Sequence, residues 1–396
     1  MRIGFFGNTN NFPFMLAQAF RRLGHDVHCA IHRPEPLHRP EFRYADIRYP
    51  YPPWIREIVI TDAADFVVNN PRRREAVRWL RSCDFVVLNE LGVSLAGDIA
   101  RPYLAMLTGS DLSYYCNPVS GCRVIDAMTT RNPLKRLWGR WVWRRLLHEQ
   151  RESVCRANLV YHFARGLIPA NDALLDDIGV DDSRRLFFLM ADVWNLPYTP
   201  PPNHSIPRTF CATRLTWKKP VLPGDSPLDF KGSDVMIRGL GLFWRESNRP
   251  LDINLVRKGR HVQETIDLVE QEGLAPLVTW HDEMTQADIW RQYARADILF
   301  EQFGEGIVAM AGLEGMAAGR PLIAHGRPEI FEPMLGEPSP ICQATTSREV
   351  CDQLQRLLID DALRRRIGEE SRAWVQRHFT PELAAQKILE RLSLSH

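Results

Sequence analysis

Glu314 stands among small and apolar residues in the run Phe300–Phe331, FEQFGEGIVAMAGLEGMAAGRPLIAHGRPEIF. A carboxylate at such a position is costly to bury unless something satisfies it, and a hydroxyl-bearing ligand is one candidate partner. Two more carboxylates, Glu301 and Glu305, precede it, and Gly304 and Gly306 flank Glu305. Glycines there let the backbone turn tightly with its amides facing outward. Ile307, Met310, Ala311, Leu313, Glu314 and Ala317 recur at helical spacing, Gly319 ends the helix, and Pro321–Ala324 begins a strand. A glycine turn that feeds a helix N-terminus can hold phosphate through backbone N–H groups and the helix dipole. The chemistry to expect is therefore recognition of a phosphorylated, hydroxyl-rich ligand.

Glu314-Gly315-Met316-Ala317-Ala318-Gly319-Arg320-Pro321-Leu322-Ile323-Ala324 resembles the second half of the pattern E-G-F-G-x-x-x-x-E-A-M-A-x-G-x-P-V-I-A. That pattern belongs to the retaining GT-B glycosyltransferases of family 4. The first half departs from it: Gly306 stands where the family has its first Glu, while Glu301-Gln302-Phe303-Gly304 matches E-x-F-G with extra residues before Glu314. The resemblance implies that Glu314 binds ribose hydroxyls, that Glu301 or Glu305 positions the transferred sugar, and that the amides of Gly304, Gly306 and Ile307 face the diphosphate. Thr213-Arg214-Leu215 and Lys231-Gly232 match the family's G-R-[LY]-x-x-x-x-K-G with an insertion, which implies Arg214 and Lys231 as the diphosphate ligands. Two cations there can neutralise a leaving diphosphate without a metal. Lys218 and Lys219 lie nearer to Arg214 and are the alternatives to Lys231, and a solvated basic loop is the other reading of the whole stretch.

Ligands of open α/β sheets lie at the carboxyl ends of strands. Lys258 and Gly259 follow one apolar run and His281 ends the next, which places all three at the border of a base pocket, with a structural histidine as the other reading of His281. Gly7-Asn8-Thr9-Asn10-Asn11 follows the first strand, so Gly7 and Asn8 either reach the donor phosphate and acceptor or form an Asn-rich turn with no ligand. The turn lacks the G-x-G-x-x-G fingerprint of a dinucleotide-binding oxidoreductase. Thr108-Gly109-Ser110-Asp111 resembles the family's H-G-[ST]-D loop with Thr in place of His, and Asp111 either meets a sugar hydroxyl or caps the following helix.

The elements that must position these residues read as alternating strands and helices, the signature of doubly wound α/β domains. A strand at Arg2–Phe6, a helix near Phe14–Leu23 and a strand at Val27–Ile31 make a parallel unit, and Asp84–Leu88, Tyr103–Leu107 and Leu159–Phe163 add further strands. Five prolines between Asn195 and Pro207 predict an interdomain linker. A second pattern follows: strands at Phe210–Thr213, Asp252–Val256, Leu277–Trp280 and Ile298–Phe300, and helices at Asp234–Trp244, Val262–Gln271 and Thr285–Ala294. Three helices, Val350–Ile359, Ala362–His378 and Pro381–Leu392, close the chain. The expected division is residues 1–200, an acceptor-binding Rossmann-like domain; 205–375, a nucleotide-sugar-binding one; and 376–396, a helix that the resemblance implies crosses back to the first. The prolines of His38–Trp54 mark an acceptor loop, and Pro220–Asp229 is an inserted loop.

Composition agrees with a large soluble enzyme: 396 residues, 45% hydrophobic and 25% charged, with net charge +2, give no reason to expect nucleic acid as a partner. No apolar run approaches a transmembrane length, and the start reads as a strand rather than a signal peptide, so the expected compartment is the cytoplasm. The eight cysteines form no C-x-x-C pair, and reduced thiols with no zinc site are expected. Lys135–Arg156, KRLWGRWVWRRLLHEQRESVCR, interleaves Trp and Leu with Arg. It fits either a helix lying on an anionic membrane, peripheral on its inner face, or a core-facing helix whose arginines reach outward.

The resulting expectation is a GT-B, metal-independent, retaining glycosyltransferase with no cofactor. Its donor would be a UDP-, GDP- or dTDP-sugar, and its acceptor a sugar, a lipid-linked glycan or a small aglycone. Attack on the front face, with closure about the proline-rich linker excluding water, follows from the resemblance. A nucleotide-sugar 2-epimerase of the same architecture, or a non-catalytic sugar-nucleotide-binding partner, are the alternatives.

Overall fold

Short apolar runs, buried on both faces, form the central strands of two parallel sheets, as parallel strands covered by helices must. The computed structural model describes residues 1–60, 62–126, 132–218, 229–304 and 307–394. The chain divides into two units, Met1–Phe188 with Pro381–His396, and Leu189–Thr380.

Unit 1 carries strands β1 (Arg2–Phe6), β2 (Asp26–Ile31), β3 (Ile55–Glu57), β4 (Phe85–Asn89), β5 (Tyr103–Met106), β6 (Leu159–Tyr161) and β7 (Arg185–Leu186). Its helices are α1 (Phe12–Arg22), α2 (Ala63–Val67), α3 (Pro71–Leu80), α4 (Ala96–Ile99), α5 (Ser110–Ser113), α6 (Pro118–Asp126), α7 (Pro133–Arg156) and α8 (Pro169–Ile178). The strand order is β3-β2-β1-β4-β5-β6-β7. Ile3 sits opposite Val27 on one side and Phe85 on the other, so the chain reverses its direction of winding between β1 and β4.

Unit 2 carries β8 (Arg208–Cys211), β9 (Asp252–Val256), β10 (Val278–His281), β11 (Ile298–Phe300), β12 (Leu322–Ala324) and β13 (Cys342–Gln343). Its helices are α9 (Ser233–Ser247), α10 (Val262–Gln271), α11 (Gln286–Arg295), α12 (Met310–Ala317), α13 (Pro328–Leu335), α14 (Ser347–Ile359) and α15 (Asp361–His378). The order β10-β9-β8-β11-β12-β13 puts the same reversal between β8 and β11, where Ile298 pairs with Thr209. The last helix, α16 (Pro381–Ser393), belongs to unit 1: Glu382 pairs with Arg22 at 2.9 Å, and Lys387 Nζ donates to Phe187 O.

The proline-rich stretch expected as a linker is packed into unit 2. Arg320, fully buried, donates to the carbonyls of Thr199 (2.7 Å) and Pro200 (3.0 Å), and Arg372 donates to those of Val193 and Leu196. Prolines leave carbonyls without neighbouring N–H groups to pair with, and buried guanidiniums fill that need. Burial lowers the Arg320 pKa to about 10. The inserted loop expected at Pro220–Asp229 lies outside the described residues except for Asp229.

Candidate functional site

The reversal in unit 2 sets the end of β8 beside the end of β11, so the residues that follow, Thr213 and Arg214 on one side and Glu301 and Gln302 on the other, line one crevice. Lys231 enters it from the loop before α9. Its backbone N–H bonds to Thr216 O at 2.7 Å, and its carbonyl accepts from Phe303 N–H and Gly304 N–H. Lys231 Nζ donates to Gln302 Oε1 at 2.9 Å. The Glu301 carboxylate is buried. It accepts weakly from Thr213 Oγ1 at 3.4 Å and faces the backbone N–H of Ala309, the residue before α12.

Burial raises the Glu301 pKa, against the pull of Lys231 and of these N–H and O–H donors. Burial likewise lowers the Lys231 pKa, against the pull of Glu301. Both groups are thus driven toward neutrality. Glu301 Oε2 and Gln302 Nε2 are buried with no hydrogen-bond partner. Unmet polar atoms in such a place are expensive, and a ligand that supplies partners removes the expense.

Arg214 lies half-exposed beside this set and pairs with Asp229 at 2.9 Å. Asp229 was not singled out in the sequence. The signal was its place two residues before Lys231, where a carboxylate must compete with any anionic ligand for Arg214.

The remaining expected residues of this unit fall as follows. Gly304 does not turn its amide outward: the N–H goes to Lys231 O at 3.1 Å, and a Cβ would lie 2.1 Å from Phe230 O, so close packing requires the glycine. Glu305 and Gly306 lie outside the described residues. Ile307 is buried and precedes α12 instead of opening it. Glu314, on α12, is buried and accepts from Gln286 Nε2 (2.7 Å) and Trp290 Nε1 (3.3 Å) of α11, so its burial is met within the protein. Gly259 has φ +120°, and a Cβ would meet Leu215 N and O at 2.7 and 2.6 Å. It lets the loop after β9 press against the loop after β8, where Leu215 N–H bonds to Lys258 O. Lys258 Nζ pairs with Glu283 at 3.3 Å. His281 turns back along the sheet to Asn254 Oδ1 at 2.8 Å, within the Arg208 network, and burial lowers its pKa.

In unit 1, Gly7 takes φ +93° with its α-carbon against Asn89 O. The buried Asn8 side chain is spent on Asn11 Oδ1, His38 O and the N–H of Phe14. Asp111 accepts from the N–H groups of Thr108 (2.8 Å), Gly109 (2.7 Å) and Leu112 (3.1 Å), so its carboxylate holds the loop that starts α5. Burial raises its pKa to about 6 despite these donors.

The carboxylate that does sit in the unit 1 crevice is Glu90, directly after β4. Thr9 Oγ1 donates to it at 2.6 Å from the β1 side, and His32 Nε2 and Arg33 NH1 approach at 3.2 and 3.3 Å. Although burial opposes it, His32, Thr9 and Arg33 lower the Glu90 pKa to about 2. Glu90, Asn10 and Asn11 all adopt positive φ, between 54° and 58°, a strained conformation for residues other than glycine. A Glu that directly follows an apolar strand was the available signal. Among the described residues no three His, Cys, Asp or Glu side chains are grouped to hold a metal ion.

Two parallel-sheet Rossmann-like units, each with its crevice at the winding reversal, define the GT-B fold. Residues 256–390 match a family model described as glycosyl transferase-like. Among solved structures, the fold is similar to Anabaena Alr3699/HepE in complex with UDP and glucose, at TM-score 0.63 and 16% identity over 99% of both chains. It is also similar to sucrose-phosphate synthase from Thermosynechococcus elongatus, at TM-score 0.58 and 14% identity over 100% of this chain and 98% of that one. A glycosyltransferase from Rickettsia africae gives TM-score 0.58 and 15% identity over 98% and 96%. No curated protein matches the sequence.

Proposed function

We propose that this protein is a glycosyltransferase that moves a sugar from a nucleoside-diphosphate sugar to an acceptor hydroxyl, as a retaining, metal-independent enzyme of family 4 type. The observation that carries the reading is the unit 2 crevice: two cations, Lys231 and Arg214, beside a buried carboxylate with an unmet oxygen. A diphosphate is the ligand such a set fits. Its charge keeps Lys231 protonated, and its oxygens displace Asp229 from Arg214. Glu301 is the described candidate for the sugar hydroxyls, and Glu314 is assigned to the ribose on the family resemblance alone, because its carboxylate already has Gln286 and Trp290 as donors.

In the transfer step, the bond from the anomeric carbon to the diphosphate oxygen breaks while the acceptor oxygen bonds to the same face. The acceptor proton passes to the leaving phosphate oxygen. Lys231 and Arg214 stabilise the charge that develops on the diphosphate. UDP-glucose is the first donor to test, because the similar Anabaena structures were solved with UDP and with UDP-glucose. A cytoplasmic location is the compartment this reading expects.

Calorimetry and thermal shift against UDP, GDP, ADP, dTDP and CMP, with and without EDTA, test the donor site. Stabilisation by one diphosphate that survives EDTA is the expected result. The anomeric configuration of the product, read by NMR, tests retention. No response to any nucleotide would sink the proposal and favour a non-catalytic role.

A further inference from the structure

Helix α7 has two unlike halves. From Val142 onward it buries Val142, Leu146, Gln150, Ser153 and Val154 against unit 1, as a core helix should. Its first turns do not. Residues 132–138 are exposed on every side, and Leu134 (74%), Leu137 (62%), Trp138 (51%) and Trp141 (48%) are the large apolar side chains left in water. Their spacing puts them in one stripe down the helix, with the Trp138 and Trp141 rings stacked 5.1 Å apart. The Asn132 side chain caps the helix through the N–H groups of Leu134 and Lys135, so the exposed end is a formed helix.

The charges on this half of the helix have one sign. Lys135, Arg136, Arg140, Arg144 and Arg145 come before the first acidic residue of the helix, Glu149, which pairs with Arg145. Among the described residues, Lys135, Arg136 and Arg144 have no acidic partner. The core-facing alternative therefore holds only for the second half of α7.

We infer that the N-terminal half of α7 docks the protein on an anionic lipid bilayer. A second copy of the chain would cover the apolar stripe, but it would set the same cations against each other. A nucleic acid would answer the cations but leave Leu134 and Leu137 in water. A bilayer rich in acidic headgroups answers both: indoles and leucines settle at the boundary of headgroups and hydrocarbon, and the basic side chains reach outward to phosphate. The contact is peripheral, since no described helix is long and apolar enough to cross a membrane. It stands independently of the transfer reading.

The test is co-sedimentation of the full chain with phosphatidylcholine vesicles, with and without phosphatidylglycerol, at low and high salt. Binding is expected only with phosphatidylglycerol, weakened by salt, with a blue shift of tryptophan emission. Trp138→Ser with Trp141→Ser, and separately Arg136→Glu with Arg144→Glu, should each weaken binding by about tenfold or more while the melting temperature stays unchanged. Equal binding to neutral vesicles, or undiminished binding by either double variant, would overturn the inference. So would tighter binding to an RNA oligonucleotide, or a lipid-free dimer that either double variant abolishes.

Discussion

The two crevices occupy equivalent places in their sheets yet are in opposite electrostatic condition. In unit 1, Glu90 has three polar partners and is held ionised, and the neighbouring Asn8 and Asp111 are consumed by loop contacts. In unit 2, Glu301 and Lys231 are both pushed toward neutrality, and two buried polar atoms lack partners. The first crevice also holds unmet atoms, His32 Nδ1 and Gln150 Oε1, but its carboxylate has its partners and its other polar groups hold strained turns. In the second an oxygen of the carboxylate itself lacks a partner, beside the two cations of the proposed diphosphate site. A carboxylate at a strand end is thus not enough to identify a binding site: whether its partners are already present decides.

The sharpest way to break this comparison is to remove the cation of one crevice and the anion of the other. Lys231→Ala should weaken binding of the cognate nucleoside diphosphate by about a hundredfold, the loss of a charge-assisted contact of roughly 2 to 3 kcal/mol. Glu90→Gln should leave that affinity within about twofold. Calorimetry on both variants decides, and a large loss of affinity in Glu90→Gln would undo the assignment of the nucleotide to unit 2 alone.

Glu90→Gln should instead cost stability. The Glu90 pKa falls to about 2 in the folded chain, against about 4.3 unfolded, a difference worth roughly 2 to 3 kcal/mol at neutral pH. Because the folded pKa is the lower one, the contribution is present above about pH 4.3 and is lost as pH falls toward 2. Urea titrations of wild type and Glu90→Gln should differ at pH 7 and converge near pH 2. Parallel curves over that window would show that Glu90 is not the ionised, well-partnered group described.

How much of this was legible in the sequence differs between elements and contacts. Strand β9, helix α10 and strand β11 have the extents their apolar periodicity predicts, because burial of one stripe or of a whole short strand fixes them. Helix α12 was expected from Ile307 and starts at Met310, because Ala309 is still extended and stands as its cap, with its N–H facing Glu301 from eight positions earlier. No local pattern encodes such a cap. Gly304 was recognisable as a position that needs glycine, but the reason, the approach of Phe230 O, comes from a loop more than 70 positions away. Glu90 went unseen for the same cause: Thr9, His32 and Arg33 arrive from two other strand ends. On α7 the stripe was readable, but periodicity does not say which stretch of it meets a core, and only the second half does.

The smallest expected effect is the most discriminating. Asp229 holds Arg214 at 2.9 Å, and both side chains are partly in water. The pair itself therefore contributes little to stability, at most about 1 kcal/mol. Its effect on binding is larger than its effect on folding, since a diphosphate must take Arg214 from Asp229 and must also approach the Asp229 charge. Asp229→Asn removes both obstacles and keeps the shape, so affinity for the diphosphate should rise by about three- to tenfold, with the melting temperature nearly unchanged. Arg214→Gln should move affinity the opposite way, and the double variant should show no gain from the Asn. If Asp229→Asn weakens binding instead, Asp229 orients Arg214 for the ligand and does not compete with it, and the incompleteness of the unit 2 crevice then rests on Lys231, Glu301 and Gln302 alone.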